Sequence, residues 1–480
     1  METTSRVLPT GSSPEVGIAP PRVFVGAALG AFMVLLDVTI VMVALPSIGA
    51  DLDARTTGLQ WMLDGYTLVL SALLLGAGSL GDKFGRRRLY LIGLAGFTLA
   101  SIVCAAAPSI GVLVAARAVQ GAAGALVLTG ALSLLVQAYP DPAKRAQMIG
   151  LNGAIGGSSI ALGPVLGGLL VDEVGWRAIF LINVPIGVFA VWLILRAIPE
   201  SSDPEHANID VPGQLLALLL LGSLTYGLIT SGEHGWGSPR TVVSLGVAVA
   251  ALATFLAVEA RAARPMLPLG LFTDPRFSVA NLAALVLGFG TSGMFVLLSL
   301  YLQQTQGRSA IATGLLFLPL TIAICLISPF AGKRSGRRGP FPVMAIGYLV
   351  AAAGLFGIAL LDAHTGPAVF IPLTVLLGLG MGASITPTQA AAVTALPPQR
   401  SGLASATANT SRQVGTTLGI AILGMFIVHA TSGHRVGTDA YATSFVNGMH
   451  TGAYVAGAVT LATAVLLAAT SRRQRTARRA

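Results

Sequence analysis

Stretches of about twenty mostly apolar residues recur from Phe24 to Thr470, and each is long enough to cross a hydrocarbon core roughly 30 Å thick. No soluble core absorbs that much apolar surface. The chain has 480 residues, of which 54% are hydrophobic and 10% charged, where a soluble globular domain carries about 25% charged. The bilayer is therefore the solvent. The leader Met1–Arg22 is polar and Pro/Ser-rich, without a short apolar core or a small-residue cleavage site, so no removable signal peptide is expected and the first span stays.

Apolar runs between Gly, Pro and charged breaks place spans near 24–45, 61–80, 89–107, 111–138, 147–170, 178–198, 213–231, 241–258, 277–301, 309–330, 341–361, 367–394, 403–428 and 449–470. That predicts an all-α integral membrane protein of about 14 transmembrane helices. With both termini cytoplasmic, 22 of the 29 Lys and Arg residues fall inside, five outside (Arg55, Arg177, Arg240, Arg308, Arg435) and two within spans (Arg117, Arg412). A bias this strong supports an even number of spans with both ends inside. The acidic loop 199–212 runs against it, but acids weigh little in the rule. The net charge of +10 is thus topological and calls for no nucleic acid.

Cys104 and Cys325 each lie inside an apolar stretch, far apart in sequence, and offer neither a disulfide framework nor metal-ligand spacing. No Walker-type loop occurs, so ATP is not the expected energy source. The six histidines fall mostly in predicted loops, and no nucleophile–base pairing argues for an enzyme.

Two basic loops resemble each other. Gly81-Asp82-Lys83-Phe84-Gly85-Arg86-Arg87 and Gly332-Lys333-Arg334-Ser335-Gly336-Arg337-Arg338 share Gly, Gly, Arg, Arg at one spacing. Each follows the second span of a six-span group, which leaves a hairpin inserted between two halves, a recurrent transporter plan. The expected domains are a leader 1–23, an N-terminal half 24–198, a cytoplasmic loop 199–212, the hairpin 213–258, a linker 259–276, a C-terminal half 277–470 and a basic tail 471–480.

The run Gly78-Ser79-Leu80-Gly81-Asp82-Lys83-Phe84-Gly85-Arg86-Arg87-Arg88 resembles the signature between spans 2 and 3 of the major facilitator superfamily. Three more motifs fall in the order of that superfamily's fourteen-span drug:proton antiporters. They are Leu36-Asp37-Val38-Thr39-Ile40-Val41-Met42-Val43-Ala44-Leu45-Pro46, Arg117-Ala118-Val119-Gln120-Gly121 and Gly163-Pro164-Val165-Leu166-Gly167-Gly168. The resemblance covers nearly the whole chain. It implies proton-coupled export of small hydrophobic or amphiphilic drugs or antibiotics from a monomer in the cytoplasmic (inner) membrane, by alternating access and without a cofactor. Protons, a drug and membrane lipid are the expected partners. Met42 departs from the Asn usual in the span-1 motif, replacing an amide with a flexible apolar group.

Asp37 lies mid-span, where an acid costs about 2.5–3.5 kcal/mol to insert and is expected to face a cavity or a partner. A desolvated carboxylate holds its proton more tightly and releases it when its surroundings change, as exchange of a proton for a drug requires. Asp64, beside Trp61 near the outer end of span 2, is a second candidate for proton coupling, against ordinary solvation at the interface. Arg117 lies six residues into span 4, about 9 Å along the helix. It could snorkel outward as an anchor, but Gln120, Gly121 and Gly124 at helical spacing favour a close-packed polar face, and the resemblance makes it part of the proton relay. Asp37, Met42, Gln120, Asn409, Arg412 and Gln413 are the candidates for the substrate cavity. Gly78, Gly81, Asp82, Gly85, Arg86 and Arg87, with Gly163, Pro164, Gly167 and Gly168, are candidates for the conformational switch. In it Asp82 would latch the two halves through a salt bridge, and the span-5 glycines would let helices approach closely. The rivals are proton-coupled uptake of a nutrient, which the same fold could host, and an integral-membrane enzyme or receptor.

Overall fold

In lipid every backbone amide and carbonyl must be satisfied within the segment that crosses, and the chain answers with helices throughout. The computed structural model describes residues 20–202, 210–262, 265, 267–396 and 401–477. Most of the leader, the centre of the 199–212 loop and the last three residues of the tail lie outside the described residues.

The helices are α1 (Pro20–Asp51), α2 (Thr56–Phe84), α3 (Arg86–Ala105), α4 (Ile110–Ala138), α5 (Pro142–Glu173), α6 (Ala178–Leu181), α7 (Asn183–Leu195), α8 (Val211–His234), α9 (Pro239–Arg261), α10 (Pro275–Leu300), α11 (Ala310–Arg338), α12 (Pro340–Ile358), α13 (Pro367–Thr394), α14 (Ser401–Thr431) and α15 (Asp439–Ala477). Among the described residues 12 are long and apolar enough to cross a membrane, α6 and α7 counting as one. The number is 13 if α2, bent by 59° between Leu74 and Gly76, is also one span.

Short polar residues start many of them. Asp141, Asp210, Ser238, Asp274 and Ser309 each accept a hydrogen bond from the first turn of the helix that follows, satisfying amides that have no intrahelical partner. Proline at the first positions of α5, α8, α9 and α10 fits because its missing N–H is not needed there. The ends depart from the apolar runs in one respect. α15 starts ten residues before the expected span and continues through most of the basic tail, because Tyr441 and Phe445 pack inward although their stretch is not uniformly apolar.

Helices α1–α7 pack among themselves, as do α10–α15, and two seams join the groups, α5 against α11 and α2 against α14. The α8–α9 hairpin lies outside both. α8 packs on α2 and α14, while α9 packs mainly on α8. Trp61, expected at a membrane interface, packs beside Tyr226 of α8, with ring centroids 6.1 Å apart and the rings tilted by 44°.

The signature between spans 2 and 3 is scarcely a loop. Gly78, Gly81 and Asp82 are the last turns of α2, Arg86 and Arg87 begin α3, and Gly85 alone forms the corner at φ +106°. Glu200 caps that corner, accepting from the amides of Arg87 at 3.0 Å and Arg88 at 2.9 Å. A Cβ on Gly85 would lie 2.7 Å from the Glu200 carboxyl carbon, so both the backbone angle and the packing require glycine. Asp82 pairs with Arg86 of the same corner at 2.8 Å, not with the other half. In this arrangement a basic partner one helical turn away engages the acid, and no ion pair of Asp82 with the other half is present among the described residues. Glu200→Ala is expected to weaken the corner by about 1 kcal/mol, the ordinary worth of a helix cap, and to lower the melting temperature of the purified protein.

Candidate functional site

Four helices converge on Asp37. It lies in the middle of α1, fully buried, and its two oxygens are approached from α4 and α7. The Arg117 guanidinium donates to Oδ2. Gln120 Nε2 donates to Oδ1 at 3.2 Å, and Asn183 Nδ2 donates to the same oxygen at 3.1 Å. Ser101 of α3 binds both amides, accepting from Gln120 at 2.8 Å and from Asn183 at 3.2 Å. Arg117 also donates to Gln120 Oε1 at 2.6 Å and to the Met62 carbonyl at 3.4 Å. Its guanidinium carbon stands 4.1 Å from the centre of the Tyr66 ring, and Tyr66 is fixed through its hydroxyl to the Val34 carbonyl at 3.1 Å.

Arg117 is thus only 1% exposed and does not snorkel. A carboxylate, a carbonyl and an aromatic face meet the guanidinium inside the bundle, which an outward position in lipid could not supply. A buried ion pair gives little net stability over an apolar substitute, but losing one partner strands the other charge at a cost of about 3–5 kcal/mol. The pair therefore couples its members tightly: a proton gained by Asp37 removes the charge that holds Arg117.

Asp64 is fully buried on the face of α2 turned to α14, and neither carboxylate oxygen has a hydrogen-bond partner among the described residues. Interface solvation is excluded as its explanation, because α14 and α8 cover the seam on which it sits. The structure does not join it to the Asp37 cluster by any hydrogen bond among the described residues.

The other cavity candidates separate. Met42 is buried in the closed part of α1, where its carbonyl accepts from Ser299 of α10 at 2.7 Å. Asn409, Arg412 and Gln413 belong to α14 and the opposite group. The Arg412 carbonyl lies against Gly288 of α10, and Gln413 is buried with Nε2 unpartnered.

The span-5 glycines serve two close approaches. Gly163 and Gly167 face Thr39 and Ile40 of α1, and Gly168 faces Ala310 and Ile311 of α11. Pro164 lies in the same stretch, its carbonyl against Gly314 of α11. Asp172, one turn further along, caps the start of α11 across the seam, accepting from Ala310 N at 3.3 Å and Ile311 N at 2.8 Å. At this same end Gln303 donates to the Val43 carbonyl of α1 at 2.9 Å. The bundle is drawn together at the end carrying the α1–α2 connection. Toward the other end, α1 and α5 border an apolar cleft of about 250 Å³ lined by Phe24, Val25, Ala28, Leu29, Phe32 and Ile155.

Ser101, Asn183, Tyr66, Asp172 and Glu200 hold the Asp37 cluster, the α5–α11 seam and the α2–α3 corner together, and the motifs did not single them out. Ser101 and Asn183 had a usable signal: each is a polar residue within an apolar span, and such groups face a bundle interior. Tyr66 and the two acids had none, because their partners are distant backbone and side-chain groups.

A sequence profile described as Major Facilitator Superfamily matches residues 27–420. The multidrug resistance protein Stp of Mycobacterium tuberculosis is 37% identical over 400 residues, covering 83% of this chain and 74% of that protein. The tetracenomycin C resistance and export protein of Streptomyces glaucescens is 36% identical over 432 residues, 89% of this chain and 80% of its own. The methylenomycin A resistance protein of Streptomyces coelicolor is 36% identical, with 84% and 85% covered. Among solved structures, a bacterial homolog of the human lysosomal transporter Spinster, inward-facing and unoccupied, aligns with a TM-score of 0.67 over 96% of this chain and 98% of its own, at 16% identity. That likeness is one of fold.

Proposed function

This chain belongs to the major facilitator superfamily, and from that membership we propose that it exports small hydrophobic or amphiphilic drugs or antibiotics across the cytoplasmic membrane in exchange for protons. The observation that carries the coupling is the buried Asp37–Arg117 pair with its Gln120 and Asn183 donors. Those three donors converge on the one Asp37 carboxyl group. On protonation it loses its hold on Arg117, α1 and α4 are no longer tied through an ion pair, and the bundle is free to exchange one arrangement for the other.

Relatives named for resistance and export favour efflux over nutrient uptake. The cleft lined by Phe24, Phe32 and Leu29 suits an apolar molecule. We take the chain to have fourteen spans, adding α2 and α5 to the 12 helices that pass by length and composition alone, with both termini cytoplasmic, as the 22 inside basic residues favour. On that orientation the closed end is outside and the cleft opens inward. Asp37 and Asp64 carry protons, and Arg117 takes part in the coupling through its charge, by favouring the ionised form of the carboxylate beside it. The α2–α3 corner and the α5 glycines guide the switch, and a monomer acts without a cofactor, driven by the proton gradient.

The test is proton movement in proteoliposomes bearing an imposed pH gradient, with a panel of antibiotics and lipophilic cations. One or more compounds are expected to dissipate the gradient with the wild-type protein and not with empty liposomes. A panel that binds yet moves no protons would replace antiport with facilitated diffusion.

A further inference from the structure

The seam between α2 and α14 carries a polar stripe that the Asp37 cluster does not use. Gln60, Asp64, Thr67 and Ser71 recur at helical spacing on one face of α2, and all four are buried. Gly424 of α14 lies against the Gln60 amide, and Thr417 donates to the Thr67 hydroxyl at 3.1 Å. The helices are antiparallel, so the register brings Asp64 opposite Ile420 and Ser71 opposite Gln413. Both amide atoms of Gln60, both oxygens of Asp64 and Nε2 of Gln413 have no partner among the described residues. Unmet polar atoms are rare in protein interiors, and each asks for an explanation. Three such residues on one seam share one.

Gln60 lies one turn from the closed end, beside a cavity of about 10 Å³ also lined by Leu45, Leu63, Leu297 and Ile420. That is the space of one water molecule. Asp64 forms no ion pair among the described residues, so a charge there would stand uncompensated, while an arriving proton would neutralise it.

We propose that this seam is a proton route from the closed end to Asp64, separate from the route by which substrate enters the cleft. Gln60 holds a water that passes a proton to the Asp64 carboxylate. The Thr67–Thr417 hydroxyls continue the polar line toward Ser71 and Gln413. No bond other than O–H is made or broken, and the closed end admits a proton without admitting a drug. The proposal rests on the proton-coupled reading above and assigns that reading an entry path.

The experiment is infrared spectroscopy of the full chain in nanodiscs after a pH jump, following the carboxylic acid band that Asp64→Asn removes. Gln60→Met keeps the length and removes the amide, and should slow the rise of that band about tenfold. Gly424→Val fills the cavity from the α14 side and should slow it likewise, so the inference does not hang on one variant folding. A band rising at the wild-type rate in either folded variant, or no pH-dependent band assignable to Asp64, overturns the route. Drug-driven proton movement in liposomes is measured separately, so failure of antiport and failure of the route are distinguishable.

Discussion

Asp37→Asn should lower substrate-driven proton movement at least a hundredfold, a barrier increase of about 2.7 kcal/mol or more, while the protein still inserts in the membrane. The amide keeps the shape of the carboxylate but neither carries a proton nor balances Arg117. The variant should also be less stable, because a guanidinium that is 1% exposed is left facing an uncharged group. Two effects are thus expected from one substitution, and a second variant separates them. Asp37→Asn with Arg117→Met removes both charges and should recover much of the lost stability, since well-packed apolar groups commonly replace a buried ion pair without loss. Transport should stay absent. The measurements are thermal unfolding in detergent and gradient dissipation in proteoliposomes. Full proton-coupled transport by Asp37→Asn would remove Asp37 from the mechanism.

The second large effect is expected at Gly168. A Cβ there would come within 2.6 Å of both the Ala310 carbonyl oxygen and Ile311 Cα, closer than real side chains approach a backbone. Gly168→Val should therefore push α5 from α11 and break the Asp172 cap on α11. Transport should fall more than tenfold, and cysteine pairs placed across the α5–α11 seam at the closed end should cross-link less. Gly246→Ala in α9 is the control, because a Cβ at Gly246 meets nothing within 4 Å, and transport close to wild type is expected. Equal loss in both variants would mean that the effect at Gly168 is not one of helix approach.

The helical, membrane-spanning nature of the chain was legible because hydrophobic length is a local property: a run of twenty apolar residues declares itself without a partner. Asp37, Arg117 and Gln120 were legible for the same reason, each being an exception inside such a run. Their mutual contacts were not, because Asp37 and Arg117 meet only when α1 and α4 are packed side by side. Asp64 shows the limit most directly. Its neighbour Trp61 marked an interface by composition, and the burial of both comes from α8 and α14, segments far away in the sequence. The partner of Asp82 was hidden for a converse reason: a nearby arginine, Arg86, engages it within one turn.

The two seams are unlike in what borders them. One is flanked by α8, which packs on both α2 and α14, while the helix that touches both members of the other, α5 and α11, is α1. The α5–α11 seam is thus the one that adjoins the apolar cleft that α5 shares with α1. On the proposed export of hydrophobic molecules, bulk added beside that cleft on α5 should slow transport more than the same change on α9, which packs mainly on α8.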